Sequence, residues 1–369
     1  MARAQTIADV EALPEADRLD GAPHPRETGE LVGHVGAEAE LEAAFRSRRM
    51  HHAWILGGPA GIGKATLAYR FARYLLAAPE ERPEAGLAIP QEARTSRLVR
   101  QLAHPRLAVI RRTYDAKTKR FPASIPVDEV RRLRAFLGHT AGEGEWRVVI
   151  IDTADELNVN AANAVLKSLE EPPPRTLFLL VSSEPGRLLV TIRSRCRTLM
   201  LAPLSGADLR KASEGVFQDG RPIPPEDWPR LEILANGSVR RLLGLLESEG
   251  LAQHAAIMKL LTSLPVVDWT AVEQLADQLT SPQAEQRFTS FYDLLLDEIA
   301  RLVRAAGGVS GSAEGLALAA KLGVPARLAT WAGVWETVVR SKAETLALNL
   351  DRRTLIIETI SRLQSAARP

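Results

Sequence analysis

The segment GGPAGIGKAT, residues 57–66, limits the possible folds of this chain more than any other stretch. A short apolar run, HAWIL, precedes it, and an amphipathic sequence, KATLAYRFARYLLAA, follows it. Gly58, Gly61 and Gly63 allow the backbone to turn tightly and to point its N–H groups at phosphate oxygens. Lys64 and the start of the following helix add positive charge. A strand, a glycine loop and a helix in this order predict a phosphate-binding loop.

The residue after the lysine departs from the usual motif, G-x-x-x-x-G-K-[ST], in which a hydroxyl ligates Mg²⁺. Ala65 has no hydroxyl. Thr66 comes one position later, where a helix has turned the side chain by about 100°. We therefore expect weak metal binding, although the loop N–H groups, with Thr66 beside them, still allow contact with a nucleotide.

Apolar runs alternate with helical patterns as far as about Leu204, and beyond it only helical patterns follow. The runs are HAWIL, RLAVIRR, WRVVIID, TLFLLVSS and CRTLML. Such alternation predicts a parallel sheet covered by helices on both faces. We expect a loosely ordered tail at 1–27, an α/β P-loop domain at 28–204, a small helical domain at 205–250 and a larger all-α domain at 251–369.

Asp152 ends the run WRVVIID, so we expect it at the carboxyl end of a strand. In P-loop ATPases an acid in this place holds the Mg²⁺ side of the site. Many motor ATPases have a glutamate next, which activates water, but this chain has Thr153, which cannot act as a base. Loss of a general base costs roughly 10²–10⁴ in rate. The sequence therefore favours a chain that keeps the shape of an ATPase without useful hydrolysis. Asp152 could also cap a helix, and the two roles can coexist.

The stretch TIRSRCRTLM contains three alternating arginines, Arg193, Arg195 and Arg197. In an extended chain these would project to one side, and Ser194 and Cys196 to the other. One interpretation is a solvated sheet edge with a small buried cysteine. The other is an arginine finger, a guanidinium that reaches a γ-phosphate held by a neighbouring subunit and raises the rate by roughly 10³–10⁵.

Composition excludes several classes of protein. The 369 residues include 47 Lys and Arg against 45 Asp and Glu, so any nucleic-acid-binding surface must be local. Cys196 is the one cysteine, which excludes a disulfide within the chain and a four-cysteine zinc site. The first residues lack the apolar centre of a secretory signal, and no apolar run approaches the ~18 residues that span a bilayer. We expect a cytoplasmic protein.

Four stretches together resemble the delta-prime family of bacterial DNA polymerase III clamp-loader subunits, within the AAA+ superfamily. The stretches are MHHAWILGGPAGIGKATLA, IPVDEVRRL, WRVVIIDTADELNVNAANAVLKSLEEPPPRTLFLLVSS and RSRCRTLMLAPL. They are spread over most of residues 31–204 and are specific in combination, whereas the helical remainder agrees only in length and type. The resemblance implies a RecA-like AAA+ domain, a helical lid at 205–250 and a C-terminal collar domain at 251–369.

The resemblance also implies roles for particular residues. The Ser-Arg-Cys motif of the family maps onto residues 194–196, which makes Arg195 the finger acting in trans. Arg240, in the stretch NGSVRRLL, would be the sensor-2 arginine, and sensor 1 would lie near residues 182–183. Family members often have a four-cysteine zinc module where this chain has residues 78–100 without a cysteine, so we expect no zinc and a long surface loop there.

The resemblance further implies an assembly. Its partners would be ATPase subunits of the tau/gamma type and the delta subunit, which together place the sliding clamp on primed DNA. No membrane is involved. The near-normal phosphate loop leaves open whether ATP or ADP is held without hydrolysis.

Two other functions stay open from the residues. One is a competent clamp-loader ATPase of the tau/gamma type, against which Ala65 and Thr153 argue. The other is a nucleic-acid-binding protein that acts alone through Arg193, Arg195 and Arg197 together with the stretch RRLRAF. The small net charge disfavours this second function.

Overall fold

The structure, a computed structural model, describes residues 14–19, 21–138, 145–216, 223–281, 284–309 and 312–368. Internal packing divides the chain into two units. The first comprises residues 1–225 and 236–240, and the second comprises residues 226–235 and 241–369. The predicted lid and collar would divide the chain at different positions, and those two boundaries stay predictions.

The first unit is built around a parallel sheet. Its five strands are β1 (Ala53–Gly57), β2 (Leu107–Ile110), β3 (Arg147–Ile151), β4 (Thr176–Ser182) and β5 (Arg197–Met200). Their order across the sheet is β2-β3-β4-β1-β5, so β1 is central. Ile55 pairs with Leu180 of β4 on one side and with Thr198 of β5 on the other. Because these strands are parallel, their carboxyl ends meet at one edge of the sheet.

Helices cover both faces of this sheet. They are α1 (Val35–Arg46), α2 (Lys64–Leu76), α3 (Arg94–Arg100), α4 (Val127–Gly138), α5 (Val159–Glu170), α6 (Val190–Arg193) and α7 (Gly206–Glu214). Trp54 and Leu56 of β1 pack in one apolar cluster with α2, whereas Ile55 packs in a second cluster with α4 and α5. Alternate residues of a strand face opposite sides, so the continuous apolar runs of the sequence fill two cores. This confirms the predicted α/β fold.

Two segments that were expected to be loosely ordered or loop-like are partly buried. Within residues 78–100, α3 buries Val99, and the preceding segment buries Leu87 and Ile89, so this region is more than a surface loop. The predicted tail at 1–27 differs more. Its described residues include a fully buried His24, and two of them, Glu15 and Asp17, pair with Arg111 after β2.

Among the residues that the structure describes, the second unit contains helices and no strand. They are α8 (Trp228–Ala235), the greater part of α9 (Val239–Glu247), α10 (Gly250–Ser263), α11 (Trp269–Thr280), α12 (Glu285–Ala306), α13 (Ala313–Lys321), α14 (Leu328–Leu348) and α15 (Arg352–Ala367). The long helix α12 lies at the centre, against α10, α11, α13 and α14. Its Phe288, Tyr292 and Ile299 are buried, as is Trp331 of α14. This confirms the all-α C-terminal region.

No helix in the described part of the chain is both long enough and apolar enough to cross a bilayer.

Candidate functional site

The phosphate loop lies at the carboxyl end of β1, between that strand and α2. Gly58, Gly61 and Gly63 all have a positive φ, which a side chain would oppose. At Gly58 a Cβ atom would lie 2.4 Å from the carbonyl oxygen of Leu201, so no other residue fits this turn. The glycines of the predicted motif therefore form the expected loop, and α2 begins at Lys64.

Lys64 points back into its own loop. Its Nζ donates to the carbonyl oxygens of Gly58 and Pro59, each at 2.6 Å, and to Ser183 Oγ at 3.2 Å. Burial lowers the pKa of this lysine to about 8, although the charges of Asp155 and Asp152 act in the opposite direction. In this arrangement, the donors that would reach a terminal phosphate are already used within the protein.

The metal side of the site lacks its usual ligands. Ala65 is the second residue of α2, so the usual hydroxyl is absent there, and Thr66 follows it on the same helix. Asp152 comes directly after β3, as predicted, and is buried. Thr153 has φ 56° and ψ 57°, a left-handed conformation that is rare for a β-branched residue.

Asp152 is paired with a second acid rather than with a cation. Burial raises the pKa of Asp152, and the negative charge of Asp17 raises it further. Asp17 is nearly buried, and hydrogen bonds with His24 together with the charge of Arg111 lower its pKa despite that burial. Of these two contacting acids, Asp152 therefore has the higher pKa, about 7, and holds a proton more readily than Asp17.

A cluster of charges holds Asp17 in place. Arg111, which directly follows β2, pairs with Asp17 through Nη1 and with Glu15 through Nη2 at 2.5 Å. Glu15 also accepts from Arg26 at 2.8 Å. His24 Nδ1 accepts the backbone N–H of Arg26, and its Nε2 lies 3.0 Å from Asp17 Oδ2 and 3.2 Å from Arg111 Nη1. We call residues 14–19 and 21–27 the N-terminal arm.

The predicted sensor-1 residues lie beside Lys64. Asp155 accepts from the hydroxyl of Ser182 and from the backbone N–H of Ser183 at 2.6 Å. Ser183 Oγ in turn accepts from Lys64 Nζ. These bonds connect the end of β4 to the phosphate loop.

The start of α9 and the residue before it are hydrogen-bonded to the phosphate loop. Val239 N–H donates to the carbonyl oxygen of Gly61 at 3.0 Å, and the Ser238 hydroxyl donates to that of Ala60 at 2.8 Å. A Cβ atom on Gly61 would lie only 2.3 Å from Cβ of Arg240. The positive charge of Arg240 acts on both Lys64 and Glu156, so the predicted sensor-2 arginine does lie at this site.

Arg195 contacts residues outside the phosphate loop. Its Nη2 is 2.9 Å from Glu170 Oε1 at the end of α5, and its Nη1 donates to the carbonyl oxygen of Thr191. The side chain is 37% exposed. The predicted extended alternation of arginines is wrong here, since Arg193 ends helix α6 and a turn follows. Of the three arginines, only Arg197 belongs to a strand, where it stacks on Trp54.

The residues present do not fit a bound Mg²⁺ as they are arranged. Position 65 has no side-chain oxygen, and the carboxyl of Asp152 is buried against the second acid, Asp17, which raises its pKa. Sequence reasoning found Asp152 but missed Glu15, Asp17, His24 and Arg111. The signal was weak, because two acids in a polar segment and one arginine after a strand do not by themselves predict contact.

Comparison with known proteins gives concordant results. A family profile described as "DNA polymerase III, delta subunit" matches residues 34–205. DNA polymerase III subunit delta' of Escherichia coli K12 is 30% identical over 280 residues, which are 71% of this chain and 74% of that protein.

Two further relatives match a smaller share of the chain. DNA polymerase III subunit delta' of Pseudomonas aeruginosa is 42% identical over 168 residues, which are 45% of this chain and 48% of that protein. The gamma subunit of Buchnera aphidicola is 28% identical over 225 residues, which are 60% of this chain and 58% of that protein. The match thus spans about half of the Pseudomonas relative. The glycine loop, the strand order, the buried Asp152 and these similarities lead to one assignment: this chain belongs to the delta-prime family of DNA polymerase III subunits, within the AAA+ superfamily.

Proposed function

We propose that this chain is a clamp-loader subunit of the DNA polymerase III type that does not hydrolyse ATP itself. One observation above all supports this. The acid that would hold Mg²⁺, Asp152, is buried and in contact with Asp17 of the same chain, and both effects raise its pKa. Ala65 and Thr153 add the loss of a metal ligand and of a base. The bonds of Lys64 to its own loop argue in the same direction.

The proposed contribution of the chain to catalysis is Arg195, offered to a nucleotide bound by a neighbouring subunit. The guanidinium is partly exposed, and its ion pair with Glu170 lies at the surface. Exposed ion pairs contribute only about 0–1 kcal/mol, so exchanging Glu170 for a phosphate would cost little. An arginine supplied in this way stabilises charge that develops on the transferred phosphoryl group.

The proposed partners are ATPase subunits of the tau/gamma type and a delta subunit, acting in the cytoplasm on a sliding clamp and primed DNA. Helix α14 has a suitable face for such neighbours. Leu328, Trp335, Val339 and Leu346 follow one another at spacings of seven, four and seven residues and are all more than a third exposed. Apolar residues aligned in this way favour a subunit interface.

A competent ATPase of the tau/gamma type is the alternative, because gamma subunits are among the relatives. Turnover by the purified chain distinguishes the two functions. We expect ATP consumption no faster than that of a Lys64→Ala variant, which removes the amine that would act on the terminal phosphates. Turnover that is fast in the wild type and lost in Lys64→Ala would overturn the non-hydrolysing role.

The role of Arg195 requires the assembled complex. ATP consumption by a reconstituted assembly should fall by roughly 10³-fold or more at the neighbouring site when Arg195 is replaced by alanine. Arg193→Ala is the matched control, since it removes an exposed arginine two residues away. Equal rates in the two variants, with assembly intact, would contradict the proposal.

A further inference from the structure

A large cavity lies at the edge of the sheet opposite the phosphate loop. Its volume is about 1480 Å³, and its walls come from the ends of α1, α2 and α4, from α3, and from the segments that lead into β2, β3 and β4. Those segments contribute His104–Arg106, Glu145–Arg147 and Arg175. The cavity is larger than the ~300–1,000 Å³ usual for a small-molecule site. Because the cavity lies at the opposite edge of the sheet, it is separate from the candidate nucleotide site.

The cavity is strongly basic. Seven of its lining residues are arginines, none is a lysine, and two are carboxylates, Glu81 and Glu145. Glu81 already accepts from the hydroxyl of Thr95 at 2.7 Å. Glu145 lies 3.5 Å from Arg106. The pKa of His104 is lowered to about 4 by burial and by the charge of neighbouring Arg106. Such a shift is expected where positive charge is in surplus.

Several of these arginines are held by neutral carbonyl groups, so their charge is not cancelled. Arg82 donates to the carbonyl oxygens of Tyr74 and Leu75, both at 2.9 Å, at the end of α2. Arg147 donates to the carbonyl oxygen of Leu137 at 2.8 Å. Guanidinium groups fixed in this way lose little conformational entropy when they bind an anion.

Aromatic rings lie between these charges. Phe45, Phe136 and Trp146 line the cavity and are half-buried, and the rings of Phe45 and Trp146 lie 6.2 Å apart. The guanidinium of Arg82 stacks over Phe45 at 5.2 Å. Phosphate groups suit the arginines, and the flat faces of bases suit aromatic and guanidinium planes.

We propose that this cavity binds single-stranded nucleic acid without sequence preference. Arginine recognises phosphate and carboxylate equally well, so charge alone would also admit an acidic peptide. The aromatic rings favour nucleic acid, because bases stack on them and carboxylate side chains do not. The net charge of the chain, only +2, makes this cavity a local basic site rather than part of a general one.

Binding of a labelled oligonucleotide to the full chain tests the proposal. The probe is a strand of about 12 thymidines, within the ~4–16 nucleotides that single-strand sites cover. Arg48 and Arg94 line the cavity at exposed positions, and the test variant is Arg48→Glu with Arg94→Glu. We expect about tenfold weaker binding, and a log–log salt slope smaller by about 1.4, since each phosphate contact contributes about 0.7 in single strands.

The control variant makes the same change in net charge elsewhere in the first unit. Arg131→Glu with Arg187→Glu replaces two exposed arginines that do not line the cavity. We expect this variant to bind as the wild type does, and thermal unfolding shows whether each variant is folded. Three results would overturn the proposal: no binding by the wild type, equal losses in both variants, or displacement of the oligonucleotide by polyglutamate as effectively as by unlabelled thymidine strand.

Discussion

Asp17 of the N-terminal arm is in side-chain contact with Asp152, the acid at the carboxyl end of β3. The pKa of Asp152 is raised and that of Asp17 is lowered, because two carboxylates in contact cannot both be charged cheaply. Arg111 and His24 favour the ionised form of Asp17, since both of them contact it. A segment of the chain itself therefore contacts the acid that would hold a metal ion.

Release of the arm should follow the titration of Asp152. Its folded pKa is raised, so the contribution of this group to stability is present at low pH and is lost as the pH rises through the folded value. Amide hydrogen exchange in the N-terminal arm, corrected for the intrinsic effect of pH, should become faster between about pH 4 and about pH 7 and change little above that range. Asp17→Asn removes the second charge and should abolish this step. Equal protection of the wild type at both pH values would contradict the pairing.

Arg111→Ala should destabilise the first unit. The change leaves Glu15 and Asp17 without their shared cation, and the Asp17 side chain is only 4% exposed. Removing one partner of a buried ion pair costs about 3–5 kcal/mol. Urea denaturation gives the free energy of unfolding. Arg131→Ala, which breaks an exposed pair with Asp128, should change it by less than about 1 kcal/mol. Similar losses in both variants would argue against a buried cluster.

Gly61→Ala should separate the start of α9 from the phosphate loop. Gly61 has φ +75°, and a Cβ atom there would collide with Arg240 and Ser238. We expect a loss of at least about 1 kcal/mol in the free energy of unfolding. Gly36→Ala is the control, because nothing lies within 4 Å of a Cβ atom there, and it should be neutral or stabilising. Thermal and urea unfolding of both variants provide the measurement.

Two tryptophans of α14 should respond differently to replacement by alanine. Trp331 is fully buried, so Trp331→Ala should cost about 3–5 kcal/mol of stability. Trp335, one turn later, is 36% exposed, and its Nε1 donates to the carbonyl oxygen of Leu296. We expect Trp335→Ala to leave the fold intact and to weaken subunit assembly, as measured by sedimentation. Unchanged assembly would show that this face is not an interface.

Much of the first unit could be predicted from local sequence. Strands with continuous apolar residues require cover on both faces, and Trp54, Ile55 and Leu56 show why, since they enter different cores in turn. The glycines of the phosphate loop have positive φ angles that few other residues adopt, so the motif specifies its own shape.

The arginines show where local reasoning failed. Alternation of Arg193, Arg195 and Arg197 suggested an extended chain, but the helix α6 extends to Arg193 and β5 begins only at Arg197. Ile192 of α6 is buried in the apolar cluster that also contains Ile55. Tertiary burial overrode a pattern of period two.

The sequence by itself determined the α/β architecture, the phosphate loop and the absence of a hydroxyl at position 65, because each depends on neighbouring residues alone. Only the tertiary structure decided that Asp17 pairs with Asp152 and that Lys64 turns to Gly58 and Pro59. Those contacts join segments far apart in the chain or depend on burial. The charge of a buried acid is set by whichever groups the fold brings beside it, and no local pattern encodes that neighbourhood.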